Sequence, residues 1–147
     1  MNGGWKILQT KEIERTGRPF RVLVVDDDAE LLKTLKEVLV KQDFRVDTAL
    51  SGQEAIEMVK LLSPDLVLLD VKMPGINGVK TLNILKDSNS RVPVVMMTAC
   101  DEMELIEQAF SLGACDFIFK PFNMNELITN VIAKFKGDPA DGKINRA

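Results

Sequence analysis

Residues 22–30 read VLVVDDDAE, so that four aliphatic residues run directly into three consecutive aspartates, Asp26, Asp27 and Asp28. A short Val/Leu run of this kind is typical of a buried strand in a parallel sheet. Carboxylates crowded together where such a strand ends repel one another unless a cation or a solvated turn relieves the repulsion. The stretch therefore predicts a buried strand and, at its end, a site of concentrated negative charge.

Further apolar runs follow along the chain, at residues 44–49, 65–69, 92–97 and 115–119, and segments with helical spacing separate them. Because crossovers between parallel strands are right-handed, this alternation predicts an α/β fold: a doubly wound, five-stranded parallel sheet with helices on both faces. The run at 44–49 alternates polar and apolar residues, which indicates an edge strand. The expected strand order is therefore the flavodoxin-like order 2-1-3-4-5.

The ends of several helices can be predicted from capping residues. The segments 51–54 (SGQE) and 123–126 (NMNE) have the pattern of capping boxes, and Asp101 is a candidate N-cap for a third helix. Gly113 and Gly137 stand where helices should stop. A weaker helix is expected at about residues 78–88, after a loop, PGINGV, whose glycines suit a segment that rearranges.

Length and charge restrict the organisation and the class of the protein. The 147 residues suffice for one domain, expected at 20–136, with an N-terminal appendage at 1–19 and a C-terminal tail or linker stub at 137–147. A net charge of −3 argues against a strongly basic nucleic-acid binder. The sequence shows neither a secretory signal nor an apolar run of the ~20 residues that span a bilayer. We therefore expect a cytoplasmic protein that binds neither membrane nor nucleic acid directly.

The chain contains no histidine, which excludes histidine-dependent catalytic triads, histidine-ligated zinc and self-phosphorylation on histidine. Its two cysteines, Cys100 and Cys115, are too few and too far apart for a metal knuckle. In a reducing compartment they are expected to be small buried hydrophobic residues. Any chemistry must therefore rest on the carboxylates.

Polar residues follow four of the predicted strands: Asp26 and Asp27 the first, Asp70 the third, Thr98 the fourth and Lys120 the fifth. Each has an ordinary explanation as a helix cap, a strand hydroxyl or a surface charge. Together they converge on the carboxyl edge of the sheet, where ligands bind in such folds. Asp27 and Asp70 can supply carboxylates to Mg²⁺ (or Mn²⁺), and Asp26 is near enough to hold a coordinated water. The ammonium and the hydroxyl can bind phosphoryl oxygens. The set predicts a metal-assisted phosphoryl site.

Four segments, VLVVDDD, DLVLLDVKMPGINGV, VPVVMMTA and GACDFIFKPF, closely resemble the signatures of response-regulator receiver domains, the CheY-like phosphoacceptors of two-component signalling. The resemblance covers about residues 20–136. It implies that Asp70 is the nucleophile that takes a phosphoryl group from a partner's phosphohistidine. It further implies the following roles: a metal site of Asp26, Asp27, Asp70 and the backbone carbonyl of Lys72; switch coupling by Thr98 and Lys120; and Phe117 as the switch aromatic.

The same resemblance implies that the Lys120–Pro121 bond is cis and that the partners are proteins. The donor is a histidine kinase or a histidine phosphotransfer protein. Because its histidine must reach in line with Asp70, we expect it to dock beside the acidic edge, on the first helix and the KPF loop. The exposed start of the first helix, around Ala29, Leu32 and Lys33, is the expected contact. A downstream target, or a second copy in a phosphorylation-dependent homodimer, would use the face of the fourth helix, fifth strand and fifth helix.

Two rival functions are weaker. Haloacid-dehalogenase-like phosphatases also use an aspartate nucleophile, and Asp26 with Asp28 imitates their motif, but Glu30 stands where that motif has Thr or Val. A nucleotide- or flavin-binding module would need a first loop rich in glycine or hydroxyls to cradle phosphate. The acidic first loop repels phosphate unless a metal intervenes.

Overall fold

The structure is a computed structural model that describes residues 19–88, 90–99 and 101–136. The predicted appendage and tail, Gly137 and Cys100 lie outside these residues, apart from Pro19. The strands are β1 Arg21–Val25, β2 Arg45–Ala49, β3 Leu66–Asp70, β4 Val94–Thr98 and β5 Asp116–Phe119. The first four helices are α1 Ala29–Lys41, α2 Gly52–Leu62, α3 Gly78–Asp87 and α4 Met103–Ser111. The last, α5, runs through Met124–Glu126, a π-helical stretch at Leu127–Ile132, and Ala133–Lys136.

All strand pairs are parallel, and the order in the sheet is β2-β1-β3-β4-β5, as predicted. The edge position of β2 is confirmed, and only Val46 and Ala49 of its five residues are buried. Every residue of the central strands β3 and β4 is buried, which explains why these runs are almost uninterruptedly apolar.

Two apolar layers cover the sheet, one on each face. On one face, α1 and α5 contribute leucines such as Leu35 and Leu127. On the other face, α2, α3 and α4 contribute residues such as Val59, Leu82 and Ile106. The arrangement confirms the doubly wound prediction.

The structure confirms two of the predicted helix starts. The Ser51 hydroxyl accepts the backbone N–H of Glu54 at 3.1 Å, and Oδ1 of Asn123 accepts that of Glu126 at 2.6 Å. The Glu54 carboxylate accepts from Leu50 N–H, not from the cap residue itself as a capping box would require. Gly113, at φ 104, lies just past α4, where a left-handed residue commonly ends a helix.

Three predictions are wrong. Asp101 does not cap α4, because the helix begins at Met103 and the cap position is Glu102, whose carboxylate binds elsewhere. Cys115 is exposed, because it lies on the turn between α4 and β5. Leu32 is buried, at 4% exposure, since it packs in the core with Leu35; it therefore cannot be part of an exposed contact.

The Lys120–Pro121 bond is cis, as the resemblance implied. Among the described residues, none of the helices combines the length and the apolar character that a bilayer span requires.

Candidate phosphoacceptor and metal site

The carboxylate cluster is built by two adjacent strands. Val25 pairs with Leu69 in the register of β1 and β3, so the residues that come next, Asp26 and Asp70, lie side by side at the carboxyl edge. One oxygen from each of Asp26, Asp27 and Asp70 lies within 4.8 Å of the others. Asp26 and Asp70 are buried, whereas Asp27 is exposed. The convergence predicted from the strand ends is confirmed for these carboxylates.

The aspartates of the first loop have different local contacts. Oδ1 of Asp28 accepts the N–H groups of Glu30 and Leu31 at 3.1 and 3.2 Å, which makes Asp28 the N-cap of α1. Oδ1 of Asp26 accepts the N–H of Asp28 at 2.9 Å, and this bond holds the loop against the end of β1. Of the three, Asp27 is the carboxylate that remains for a ligand approaching from solvent.

Lys120, just after β5, reaches across the sheet edge into this cluster. Its Nζ lies 2.7 Å from Oδ2 of Asp26 and 3.2 Å from Oδ1 of Asp70. Burial alone would lower the pKa of Lys120, but the close ionic contact with Asp26 and the charge of Asp70 raise it overall. The ammonium is therefore firmly charged and neutralises part of the cluster.

The same surroundings act on Asp70 in the opposite sense. Burial, and after it the charge of Asp26, raises the pKa of Asp70 from 3.8 to about 7, although Lys120 opposes this change. A carboxylate with such a pKa lacks enough nearby positive charge to stabilise its ionised form. In the metal-free protein, a proton can therefore neutralise Asp70 where a bound cation would otherwise do so.

The residues fit a hard divalent cation. Oδ2 of Asp26 is fully buried and accepts no hydrogen bond of good geometry. Within the described structure, only the ionic contact with Lys120 offsets the cost of burying its negative charge. Together with Asp27 and Asp70 it offers carboxylate oxygens, the ligands that Mg²⁺ and Mn²⁺ prefer. The acidic cluster could therefore hold a divalent metal.

Thr98 ends β4 and is fully buried, but its hydroxyl is already engaged. It donates to Oε1 of Glu102 at 2.8 Å and lies 3.0 Å from the carbonyl of Ala99. Sequence reasoning missed Glu102, because glutamates are common near the start of a helix, where they need no specific partner. The available signal was its spacing of four residues from Thr98, which lets the chain turn back on the strand end.

Two further predicted residues are Lys72, which follows β3, and Phe117, which lies on β5. The Lys72 ammonium lies 3.5 Å from Oε2 of Glu102; the role of its backbone carbonyl as a metal ligand stays a prediction. Phe117 is half-buried on β5 and makes edge contacts with Phe110 and Phe119, at centroid distances of 5.8 and 5.0 Å. It thus connects the strand to α4.

Gly78 fixes the loop after β3 against the site. A Cβ added there would lie 2.1 Å from the backbone oxygen of Asp70, so only glycine fits without a backbone shift. The N–H of Gly78 also donates to the carbonyl of Val71 at 2.8 Å. The start of α3 is thereby held directly beside Asp70.

Comparison with known proteins agrees with this geometry. The family model of the response regulator receiver domain matches residues 22–132. The DNA-binding response regulator MtrA of Mycolicibacterium paratuberculosis is 40% identical over 79% of this chain and 51% of its own length. A protein-glutamate methylesterase/protein-glutamine glutaminase of Pyrococcus abyssi is 43% identical over 82% of this chain and 35% of its own length.

A solved structure shows the same likeness in three dimensions. A chain of the CheX–CheY–BeF3–Mg²⁺ complex from Borrelia burgdorferi superimposes with a TM-score of 0.74 at 31% identity, over 82% of this chain and 92% of its own. This chain spans about half or less of the curated relatives named above. The match disfavours the phosphatase alternative. The chain belongs to the response regulator receiver family and is a phosphoacceptor switch of two-component signalling.

Proposed function

We propose that Asp70 is the phosphoacceptor and that its donor is a phosphohistidine on a histidine kinase or a histidine phosphotransfer protein. The observation that carries this assignment is the position of Asp70 between the Lys120 ammonium, 3.2 Å away, and the carboxylates of Asp26 and Asp27. A nucleophile there lies next to a fixed positive charge on one side and potential metal ligands on the other. The 147 residues contain no histidine, so the donor histidine lies outside them.

In the transfer, a carboxylate oxygen of Asp70 attacks the phosphorus of the donor. The new P–O bond gives an acyl phosphate, while the P–N bond to the imidazole breaks and that nitrogen keeps the electron pair. Lys120 is close enough to bind one of the phosphoryl oxygens by a charge-assisted hydrogen bond. Its contact with Asp26 holds the ammonium in place before the donor arrives.

Mg²⁺, or Mn²⁺ in its place, would be held by Asp26, Asp27 and Asp70, with the backbone carbonyl of Lys72 as a further ligand. Its chemical contribution is positive charge, which lets anionic phosphoryl oxygens approach a cluster of carboxylates. The exposure of Asp27 leaves this side of the cluster open to solvent.

Phosphorylation would be read out on the face formed by α4, β5 and α5. Phe117 contacts Phe110 and Phe119, which remain 43% and 40% exposed. A cleft of about 340 Å³ lies between β5 and α5 on this face. Apolar rings beside a cleft suit a protein target, or a second copy of this chain in a phosphorylation-dependent homodimer, rather than nucleic acid.

We further propose that the chain is a switch and not an enzyme that turns over small substrates. It should not hydrolyse p-nitrophenyl phosphate catalytically, whereas a phosphatase with an aspartate nucleophile would. The exposed free thiol of Cys115 suits a reducing compartment, and we place the protein in the cytoplasm.

The test is the intact mass of the protein after incubation with acetyl phosphate. We expect one phosphoryl adduct in the presence of Mg²⁺, none in EDTA, and none in Asp70→Asn. Asp65→Asn, a change at an aspartate near the opposite end of β3, should leave the adduct unaffected. An adduct that persists in Asp70→Asn, or forms fully in EDTA, would contradict the assignment.

A further inference from the structure

The Glu102 carboxylate joins three parts of the site edge. Its Oε1 accepts the Thr98 hydroxyl at 2.8 Å and the N–H of Ala99 at 3.0 Å. Its Oε2 lies 3.5 Å from the Lys72 ammonium, which belongs to the loop after β3. A single side chain thus links the end of β4, the loop before α4, and the loop that follows Asp70.

Glu102 is held in this position as an anion. Its side chain is only 7% exposed, whereas that of Lys72 is 69% exposed. Burial alone would raise the pKa of Glu102, but the N–H of Ala99, the Thr98 hydroxyl and Lys72 together lower it below its usual value. A buried and charged carboxylate of this kind keeps its donors strongly, because losing one leaves the charge uncompensated.

The hydroxyl of Thr98 has a single proton. While that proton is donated to Glu102 or shared with the carbonyl of Ala99, it cannot be donated to a phosphoryl group on Asp70. The Glu102 carboxylate and a phosphoryl group are both anionic acceptors, and they compete for this one donor. Recruitment of Thr98 by a phosphoryl group therefore requires that Glu102 first give up the hydrogen bond from the Thr98 hydroxyl.

We infer that Glu102 is an internal competitor of the phosphoryl group for Thr98, a positioning residue that holds the unphosphorylated arrangement. The inference rests on the proposed function, since it presupposes that a phosphoryl group forms on Asp70. Lys72 has a supporting part: its ammonium pairs with Oε2 and keeps the carboxylate turned toward Thr98. Releasing Glu102 should make the activated arrangement easier to reach and should not weaken the site.

The experiment measures the affinity for beryllofluoride, a phosphoryl mimic, in the presence of Mg²⁺ by amide NMR titration. Glu102→Ala should bind about tenfold more tightly than the wild type, because a hydrogen bond to a charged group no longer competes. Glu102→Gln, which keeps the size and one carbonyl oxygen, should show a smaller gain. Glu104→Gln removes an exposed charge on the same helix and should show no gain.

Thr98→Val tests whether Glu102 acts through the Thr98 hydroxyl, because this change removes the donor but keeps the shape of the side chain. If Glu102 acts through Thr98, Glu102→Ala should change the beryllofluoride affinity less than about twofold in that background. A tenfold gain that persists in Thr98→Val would overturn the proposal, since Glu102 would then act through its charge alone.

Stability distinguishes this role from a merely structural one. If Glu102 were needed only for the start of α4, Glu102→Ala would lower the unfolding free energy in urea without tightening beryllofluoride binding. That result would overturn the proposal. Failure of the proposed function gives a different pattern: the wild type itself would bind no beryllofluoride. Unchanged affinity in Glu102→Ala beside a wild type that binds normally would refute only the role of Glu102.

Discussion

The Nζ atom of Lys120 lies 2.7 Å from the buried Oδ2 of Asp26. These residues follow β5 and β1, which are separated in the sheet by β3 and β4. A long side chain therefore spans the carboxyl edge and brings positive charge to a carboxylate that takes no hydrogen bond of good geometry at that oxygen. Before a metal binds, this ion pair supplies the positive charge that stabilises the acidic cluster.

Lys120→Met should destabilise the metal-free protein by about 3 kcal/mol, because it leaves buried carboxylates without their cation. Urea unfolding in EDTA measures the loss. Added Mg²⁺ should stabilise this variant more than it stabilises the wild type. Lys134→Met is the matched control: its pair with Asp116 is half exposed at the lysine, so the loss should stay below about 1 kcal/mol. Equal losses in both variants would contradict this account of the cluster.

The pH dependence of stability should show the unusual state of Asp70. Its pKa in the folded protein is about 7, above the unfolded value of 3.8, so the folded protein binds more protons between these values. The unfolding free energy in EDTA should therefore fall as pH rises from about 4 to about 7, by on the order of 1 kcal/mol per unit where the dependence is steepest. Asp70→Asn should lose most of this slope. An equal slope in wild type and variant would contradict the assignment.

Mg²⁺ binding should have the complementary pH dependence, since the cation and the proton compete for the same carboxylate. The thermal stabilisation by a fixed Mg²⁺ concentration should be larger at pH 8 than at pH 5.5. Calorimetric titration should show protons released on binding near pH 6. Stabilisation that does not depend on pH would mean that the ion binds away from Asp70.

Gly78→Ala should disturb the site by displacing the backbone of Asp70. The added Cβ would lie 2.1 Å from the backbone oxygen of Asp70 and 3.0 Å from the Cα of Val71, neither of which can move independently of β3. We expect a loss of about 2 kcal/mol in unfolding free energy and weaker beryllofluoride binding. Lys80→Ala, an exposed change in the same turn, should alter neither property. Wild-type behaviour of Gly78→Ala would show that the loop after β3 is not held as described.

Docking of the phosphoryl donor should depend on the exposed start of α1. Ala29 and Lys33 are exposed there, and Ala29 lies two residues after Asp27. Lys33→Glu should slow transfer from the cognate phosphohistidine protein and leave phosphorylation by acetyl phosphate unchanged. Lys41→Glu reverses an equally exposed charge at the far end of the same helix and should affect neither reaction. Equal effects of Lys33→Glu on both donors would indicate damage to the site instead.

The site could be predicted from the sequence largely because a parallel sheet brings the carboxyl ends of its strands together. Once β1, β3 and β5 are recognised by their apolar runs, Asp26, Asp70 and Lys120 must lie at one edge. The capping residues Ser51 and Asn123 were equally readable, because their bonds are local and follow from residue type and spacing.

Contacts that depend on the path of a short loop could not be predicted in this way. Residue type favours Asp101 over Glu102 as a helix cap, and only the turn after β4 brings Glu102 back to Thr98. The exposure of Cys115 has the same origin, since the turn and not the residue type decides it. The π-helical stretch at Leu127–Ile132 keeps the apolar spacing of an α-helix closely enough that periodicity does not separate the two.

The central claim is that the phosphoryl group is carried by the Asp70 carboxylate. Borohydride reduction of the protein phosphorylated with Mg²⁺ and acetyl phosphate, followed by peptide mapping, identifies the carrier directly, because an aspartyl phosphate is reduced to homoserine. We expect homoserine at position 70 and at no other aspartate, with none formed in EDTA. Homoserine at Asp26 or Asp27 in place of Asp70, or label on a side chain that borohydride does not reduce, would contradict the account.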